Sequence, residues 1–199
     1  MDNALDFDPA EATEYAKRLN IVPIALFCVW LGSTVMFWLQ AFGPLRSFNR
    51  ASPDEAPFWW LVGSLFTSYA ISFLPLSWYS VHRFEANGQF YEGLGVKAIR
   101  ALVSNGDLIN RFVRRRFPGY RVYAFAKRID KVTKDGRSNE LSHLISFGGG
   151  LVVAVYAWRI GWTDWAVWLT LANLLVNLYP VLVQRYTRAR IEKITSRRP

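Results

Sequence analysis

Residues 173–190 read Asn173-Leu-Leu-Val-Asn177-Leu-Tyr-Pro180-Val-Leu-Val-Gln184-Arg185-Tyr186-Thr187-Arg188-Ala-Arg190. The stretch begins inside an apolar run that reads as membrane-embedded, and it leaves that run through a cluster of arginines. Two amides and a proline therefore lie at membrane depth, where lipid offers no hydrogen-bond partner. At roughly 100° per residue on a helix, Thr170, Asn173, Asn177, Pro180, Gln184 and Arg188 fall on one narrow face. A polar stripe of this kind belongs in a protein interior or along a cavity.

Outward from that stretch the chain divides into blocks. It has 199 residues, 52% of them apolar, with nine Trp. The apolar residues cluster, which predicts an all-α integral membrane protein in one membrane domain, residues 1–199. Four spans are expected, at about 21–42, 58–79, 143–160 and 162–183. The first two are uncharged and meet the roughly 20-residue length of a spanning helix. The third is shorter, and Arg159 near its end can snorkel to the interface. Its Gly148-Gly149-Gly150 would be poor in a soluble helix. In a membrane, Ser146, Gly150 and Ala154 form a small-residue face for close helix contact. Gly161-Trp162-Thr163-Asp164 predicts a tight turn with a capping residue before the fourth span. Trp59, Trp60, Trp78, Trp158, Trp162 and Trp165 fall near span ends, as an interfacial belt would.

The net charge is +9, and its distribution sets the topology. The polar segment at about 80–142 holds thirteen of the 24 Lys and Arg, and the basic tail 185–199 holds six. Only Arg46 and Arg50 lie between the first two blocks. The positive-inside rule makes the middle segment and the C-terminus cytoplasmic, and four spans bring the N-terminus to the same side of the cell membrane. The N-terminal stretch is acidic, unlike a secretory signal, and Ala10 to Asn20 reads as a surface helix. Val96, Ile99, Leu102 and Val103 oppose Lys97 and Arg100 at helical spacing, followed by Leu108, Ile109, Phe112 and Val113. These predict amphipathic helices at the inner interface. Membrane lipids are the expected partners of the basic charge; no nucleic-acid module is recognisable.

Candidate chemistry is sparse. Of the two histidines, His82 follows the second span and His143 opens the third. Glu140 precedes His143 by one helical turn, a spacing that lets a carboxylate orient an imidazole. The competing reading of His143 is a cap or headgroup contact. Arg83-Phe84-Glu85 and Tyr91-Glu92 place two carboxylates near the interface. They are either acid/base groups or partners of Arg83, Arg100 or the C-terminal arginines. Gly88, Gly93 and Gly95 argue against one continuous helix there. Arg114-Arg115-Arg116 reads as a headgroup anchor, and Arg185, Arg188 and Arg190 as a potential phosphate or carboxylate site. Cys28 is the sole cysteine, so no intrachain disulfide forms, and it reads as a filler facing lipid or a neighbouring helix. No P-loop, dinucleotide, nucleophile-elbow or zinc-protease motif occurs, and neither metal nor cofactor is expected.

The tail run Gln184-Arg185-Tyr186-Thr187-Arg188-Ala189-Arg190, with Asn177 seven residues ahead of Gln184, resembles the glycosyl-4,4'-diaponeurosporenoate acyltransferases and their relatives. Tyr91-Glu92-Gly93-Leu94-Gly95-Val96-Lys97 is similar to their second signature, and a His opening the third span also fits. Thr187 departs from the family's Asn at that position. The resemblance covers roughly Arg83 to Ile191. It implies transfer of a fatty acyl group, from acyl-CoA or an acyl carrier protein, to a sugar hydroxyl of a carotenoid-like lipid glycoside. His143 is then the expected base, with Glu92 or Glu140 as orienting carboxylate. Asn173, Asn177 and Gln184 would supply oxyanion or sugar hydrogen bonds, and Arg185 and Arg188 would hold a donor phosphate. Tyr91, Tyr186 and Glu85 complete the expected substrate contacts. The rival is a non-catalytic lipid-binding or assembly subunit, with a small transporter third. Convergence of these groups on one accessible cleft favours the enzyme; amides closed against each other favour the rival.

Overall fold

In a computed structural model the described residues are 8–45, 56–86, 88–100, 106–120 and 129–195, with the side chains of 129–135 and 194 outside that set. Every regular element among them is helical: α1 (Pro9–Leu19), α2 (Ile21–Phe42), α3 (Pro57–Ile71), a 3-10 turn (Leu76–Tyr79), α4 (Gln89–Gly93), α5 (Val96–Arg100), α6 (Asp107–Arg116), α7 (Ile129–Arg159), α8 (Thr163–Asn173), a π-helical turn (Leu174–Leu178) and α9 (Tyr179–Thr195).

Local sequence explains where the long helices start and stop. The Asp8 carboxylate accepts from the Ala10 amide at 2.8 Å and Pro9 occupies the first turn, so α1 begins there. α2 matches the first expected span and ends at Gly43, whose φ of 107° is open to glycine. α8, the π turn and α9 run on as one rod, Thr163 to Thr195, so the described part of the basic tail is helical. Pro180 explains the π turn: it has no N–H and its ring crowds the carbonyl four residues back, so the helix widens by one residue there.

Three stretches are long and apolar enough to cross a membrane: Pro9–Phe42, Gly136–Arg159 and Thr163–Lys193. The expected second span differs. α3 has 15 residues, about 22 Å at helical rise, against a hydrocarbon core of about 30 Å. It stops because the Ser72 hydroxyl bonds the Tyr69 carbonyl at 2.6 Å and Pro75 bars continuation. The third block also begins earlier than expected: α7 starts at Ile129, so the end of the middle segment, 129–142, is helix continuous with the span. Asp164 lies inside the first turn of α8, and Trp162 rather than an Asp occupies the cap position.

α7 is the spine, packed against α3, α8 and α9. The glycine run makes this contact close. A Cβ at Gly148 or Gly149 would strike Ile71 or Ser68 of α3. Ser64 donates to the Gly149 carbonyl at 3.0 Å and Ser68 to that of Ile145 at 3.2 Å. Such small-residue seams let backbones approach where no hydrophobic effect drives helices together. Toward the α7–α8 turn an aromatic core forms, with Trp38 and Trp60 stacked on buried Tyr156 at 5.6 and 5.3 Å. Trp162, expected in the belt, is buried in this core. Cys28 is exposed on α2 among exposed apolar neighbours such as Ile24 and Leu31.

At the other end α6 lays Ile109 and Val113 on Ala12 and Ala16 of α1. Arg116 pairs with Glu11 at 3.4 Å and covers Tyr15 and Phe117. That arginine is a tie between helices as well as a basic charge. Leu102 and Val103 of the expected amphipathic pattern lie outside the described residues.

Candidate functional site

The polar stripe that dominates the C-terminal rod faces α7 along its length. A Cβ on Gly150 would touch the Asn173 amide, His143 meets Asn177, and a Cβ on Gly136 would meet Gln184 Oε1. Arg188 bonds Glu140. Thr170 instead opens onto a groove of about 420 Å³ lined by Ala154, Val155 and Trp158 from α7 and Ala166, Val167 and Leu171 from α8.

The amides form a directional relay. Asn173 Nδ2 donates to the Phe147 carbonyl at 3.0 Å, and Asn177 Nδ2 donates to Asn173 Oδ1 at 2.8 Å. Asn177 Oδ1 then faces His143 Nδ1 at 3.4 Å. A backbone carbonyl only accepts, so every amide upstream of it has its orientation set. The oxygen offered to His143 therefore calls for a proton on Nδ1. The neutral ring is left with its lone pair on Nε2, the tautomer a general base needs. Asn173 and Asn177 are fully buried, and His143 is half-buried.

One to two turns along α9 lies a buried ion cluster. Arg185 Nε donates to Glu85 Oε1 at 2.9 Å and to Tyr91 Oη at 3.3 Å, and its Nη1 reaches Glu140 at 3.1 Å. Both terminal nitrogens also reach the Trp78 carbonyl at 3.3 Å. Arg188 bonds the other Glu140 oxygen and the Tyr79 carbonyl, the latter at 2.9 Å. Glu85 completes its set with Tyr91 and the His82 amide. Burial by itself would lift the Glu85 pKa. The hydrogen bonds from Tyr91, His82 and Arg185 outweigh it and hold the carboxyl below its ordinary value. Burial, then the Glu85 carboxylate, push the Tyr91 phenol up, so it stays a donor.

Glu92 stands in a separate, half-buried group. It pairs with Lys97 at 2.8 Å and accepts from Tyr186 at 3.0 Å, and these two contacts, Lys97 first, lower its pKa. Arg190 donates to Tyr186 Oη at 2.9 Å. Gly88, at φ 70°, passes against the Tyr186 ring, and Gly95, at φ 74°, separates α4 from α5, so 88–100 is a helix–turn–helix rather than one helix.

The sequence expectation for the carboxylates thus changes. Both Glu140 oxygens serve arginines, so Glu140 orients Arg185 and Arg188 and not the imidazole. Glu85 and Glu92 take the partner role, to a C-terminal arginine and to Lys97. The group facing His143 is Asn177, from the same stripe that carries Gln184. Arg185, expected to hold a ligand phosphate, has its donors engaged by protein. Arg137 and Tyr79 join this cluster unforeseen: the Arg137 guanidinium lies 5.5 Å from the Tyr79 ring centre, and Arg188 lies 5.7 Å from it. Arg137 and Glu140 are one turn apart, a signal readable only once α7 is known to start at Ile129.

Residues 75–197 match the family model described as glycosyl-4,4'-diaponeurosporenoate acyltransferase. The match takes in the relay, the ion cluster and the Glu92 group, and starts after α3. No curated protein and no solved structure matches the chain.

Proposed function

Because the chain belongs to the glycosyl-4,4'-diaponeurosporenoate acyltransferase family, we propose that it moves a fatty acyl group from a thioester donor to a hydroxyl of a lipid glycoside at the inner membrane interface. The observation that carries this reading is the relay from Phe147 through Asn173 and Asn177 to His143, which frees Nε2 to accept a proton. In the proposed reaction Nε2 takes the acceptor hydroxyl proton as that oxygen attacks the acyl carbonyl carbon. The tetrahedral intermediate collapses, the C–S bond breaks, and the imidazolium returns the proton to the thiolate. Asn177 Oδ1 keeps the ring aligned while it carries the charge. Gln184, half-buried beside Gly136, is the proposed partner of a sugar hydroxyl. The donor is acyl-CoA or an acyl carrier protein. The apolar groove that opens at Thr170 suits a hydrocarbon chain.

The proposed arrangement has four crossings, with both termini cytoplasmic. What supports it is the packing of α1 on α6 and of α5 on α9, which gathers the N-terminal helix, the middle segment and the basic tail at one end. α3 must then return the chain across the bilayer, its short length made up by the 3-10 turn at Leu76–Tyr79. A second reading, a non-catalytic lipid-binding subunit, draws on the closure of Asn173 and Asn177 against each other.

Lipid extracts of a deletion strain complemented with wild type or His143→Ala separate the two. The expected result is loss of one acylated glycolipid with build-up of its deacyl form, and a rate lower by about 10²–10⁴-fold in the variant. Full acylation by His143→Ala sinks the catalytic reading.

A further inference from the structure

We propose that Arg137, Tyr79 and Arg188 form a phosphate-binding site at the inner interface, distinct from the relay and independent of whether His143 acts as a base. Two buried donors lie on one aromatic contact there without an acceptor among the described residues. The Tyr79 hydroxyl and Arg137 Nε are both buried and neither has a hydrogen-bond partner among the described residues. Tyr79 itself is only 5% exposed. Buried donors without acceptors are rare and costly, and two on one aromatic contact point to a missing acceptor.

The charge balance says what kind of acceptor. Arg137, Arg185 and Arg188 all act on Tyr79, together with Glu140. Glu140 serves Arg185 and Arg188, and Glu85 serves Arg185. Three guanidiniums thus face two carboxylates, and Arg137 has no carboxylate partner among the described residues. Water would satisfy the two donors but leave that charge uncompensated. An oxyanion satisfies both, and guanidinium with phenol is a donor set suited to phosphate. Among the described residues Arg137 meets the Tyr79 ring and no carboxylate, so it re-aims at little cost, whereas Arg185 and Arg188 are fixed by their carboxylates. It is half-buried and lies at the very start of the Gly136–Arg159 stretch, six residues ahead of His143.

The phosphate has two sources, a lipid headgroup or a soluble phosphate-bearing carrier. The test uses the full chain in phosphatidylcholine nanodiscs and follows thermal unfolding. One arm titrates coenzyme A; the other dopes the bilayer with phosphatidylglycerol. Saturable stabilisation is expected in at least one arm, which names the source. Arg137→Gln weakens it by about tenfold, Tyr79→Phe by several-fold, and Arg137→Lys retains part of it. No saturable response in either arm overturns the site, as does Arg137→Gln binding within about twofold of wild type. Should Arg137→Gln fail to fold, Tyr79→Phe decides by the same criterion, since it removes one oxygen and no charge.

Discussion

Gly150→Ala tests the relay without substituting any of its members. A Cβ at this position would lie 2.8 Å from Asn173 Oδ1 and 2.9 Å from its Cγ and Nδ2, where ordinary contact begins at 3.4 Å. The amide must retreat by about half an ångström, and it is tied to Phe147 on one side and Asn177 on the other. Overpacking of this size costs about 1–3 kcal/mol. A weakened buried hydrogen bond adds about 1 kcal/mol. Alanine returns about 1 kcal/mol through helix propensity. The balance is a net loss of about 1–3 kcal/mol, opposite in sign to the usual Gly→Ala effect in a helix. Equilibrium unfolding in detergent micelles measures it. Gly32→Ala on α2 is the control, because a Cβ there meets nothing within 4 Å. Nitrogen NMR of His143 gives a second readout, with the Nδ1–H tautomer expected in wild type and a mixed or reversed population in Gly150→Ala. A Gly150→Ala chain as stable as Gly32→Ala, with His143 unchanged, refutes the reasoning.

Three further outcomes follow from the ion cluster and its neighbour. Glu140→Gln leaves Arg185 and Arg188 short of an anion at a fully buried position and is expected to cost about 3–5 kcal/mol in the same unfolding assay; a loss under about 1 kcal/mol would mean the pairs do not lock α9 to α7. Glu85 is held below its ordinary value of 4.5, so its stabilisation is present above that pH and fades as pH falls through the lowered folded value. Unfolding curves between pH 7 and 3 should therefore fall on the acid side in wild type and fall less in Glu85→Gln; parallel curves would remove Glu85 from the account. Tyr186→Phe deletes a hydroxyl that donates to Glu92 and accepts from Arg190, at an expected cost of about 1 kcal/mol, and frees Glu92 to titrate nearer its ordinary range by carboxylate NMR.

Legibility followed the range of the interaction. The first span was readable to its end residues, because an uncharged 22-residue run closed by Gly43 leaves one solution. The break in α3 was harder. Pro75 was visible, but the Ser72 hydroxyl turning back on Tyr69 competes with helix only by local geometry. The early start of α7 was hidden because residues 129–142 are polar and carry no apolar helical pattern; the described part of that stretch meets α9 through Gly136 and Glu140. In the candidate site the polar stripe was legible from helical phase, and its facing partner was not. Glu140 and His143 have the right spacing for one another, yet Arg185 and Arg188 claim the carboxylate. A buried carboxylate next to guanidiniums gains far more there than beside a neutral imidazole.

By itself the sequence determined that the chain is helical and membrane-crossing, because twenty-residue apolar runs have no other way to satisfy their backbone in lipid. It also determined that Asn173, Asn177, Gln184 and Arg188 share a face, since that follows from helical pitch alone. The tertiary structure decided which group each of them meets. Asn177 turns to His143, Glu140 to two arginines, and Arg137 lies over Tyr79 with no carboxylate partner among the described residues. Those choices depend on the rotation of α9 against α7, which the glycine at 150 and the π turn before Pro180 set together. Pairing across helices is a long-range competition among charges, and only the packed structure says which partner is near enough to win.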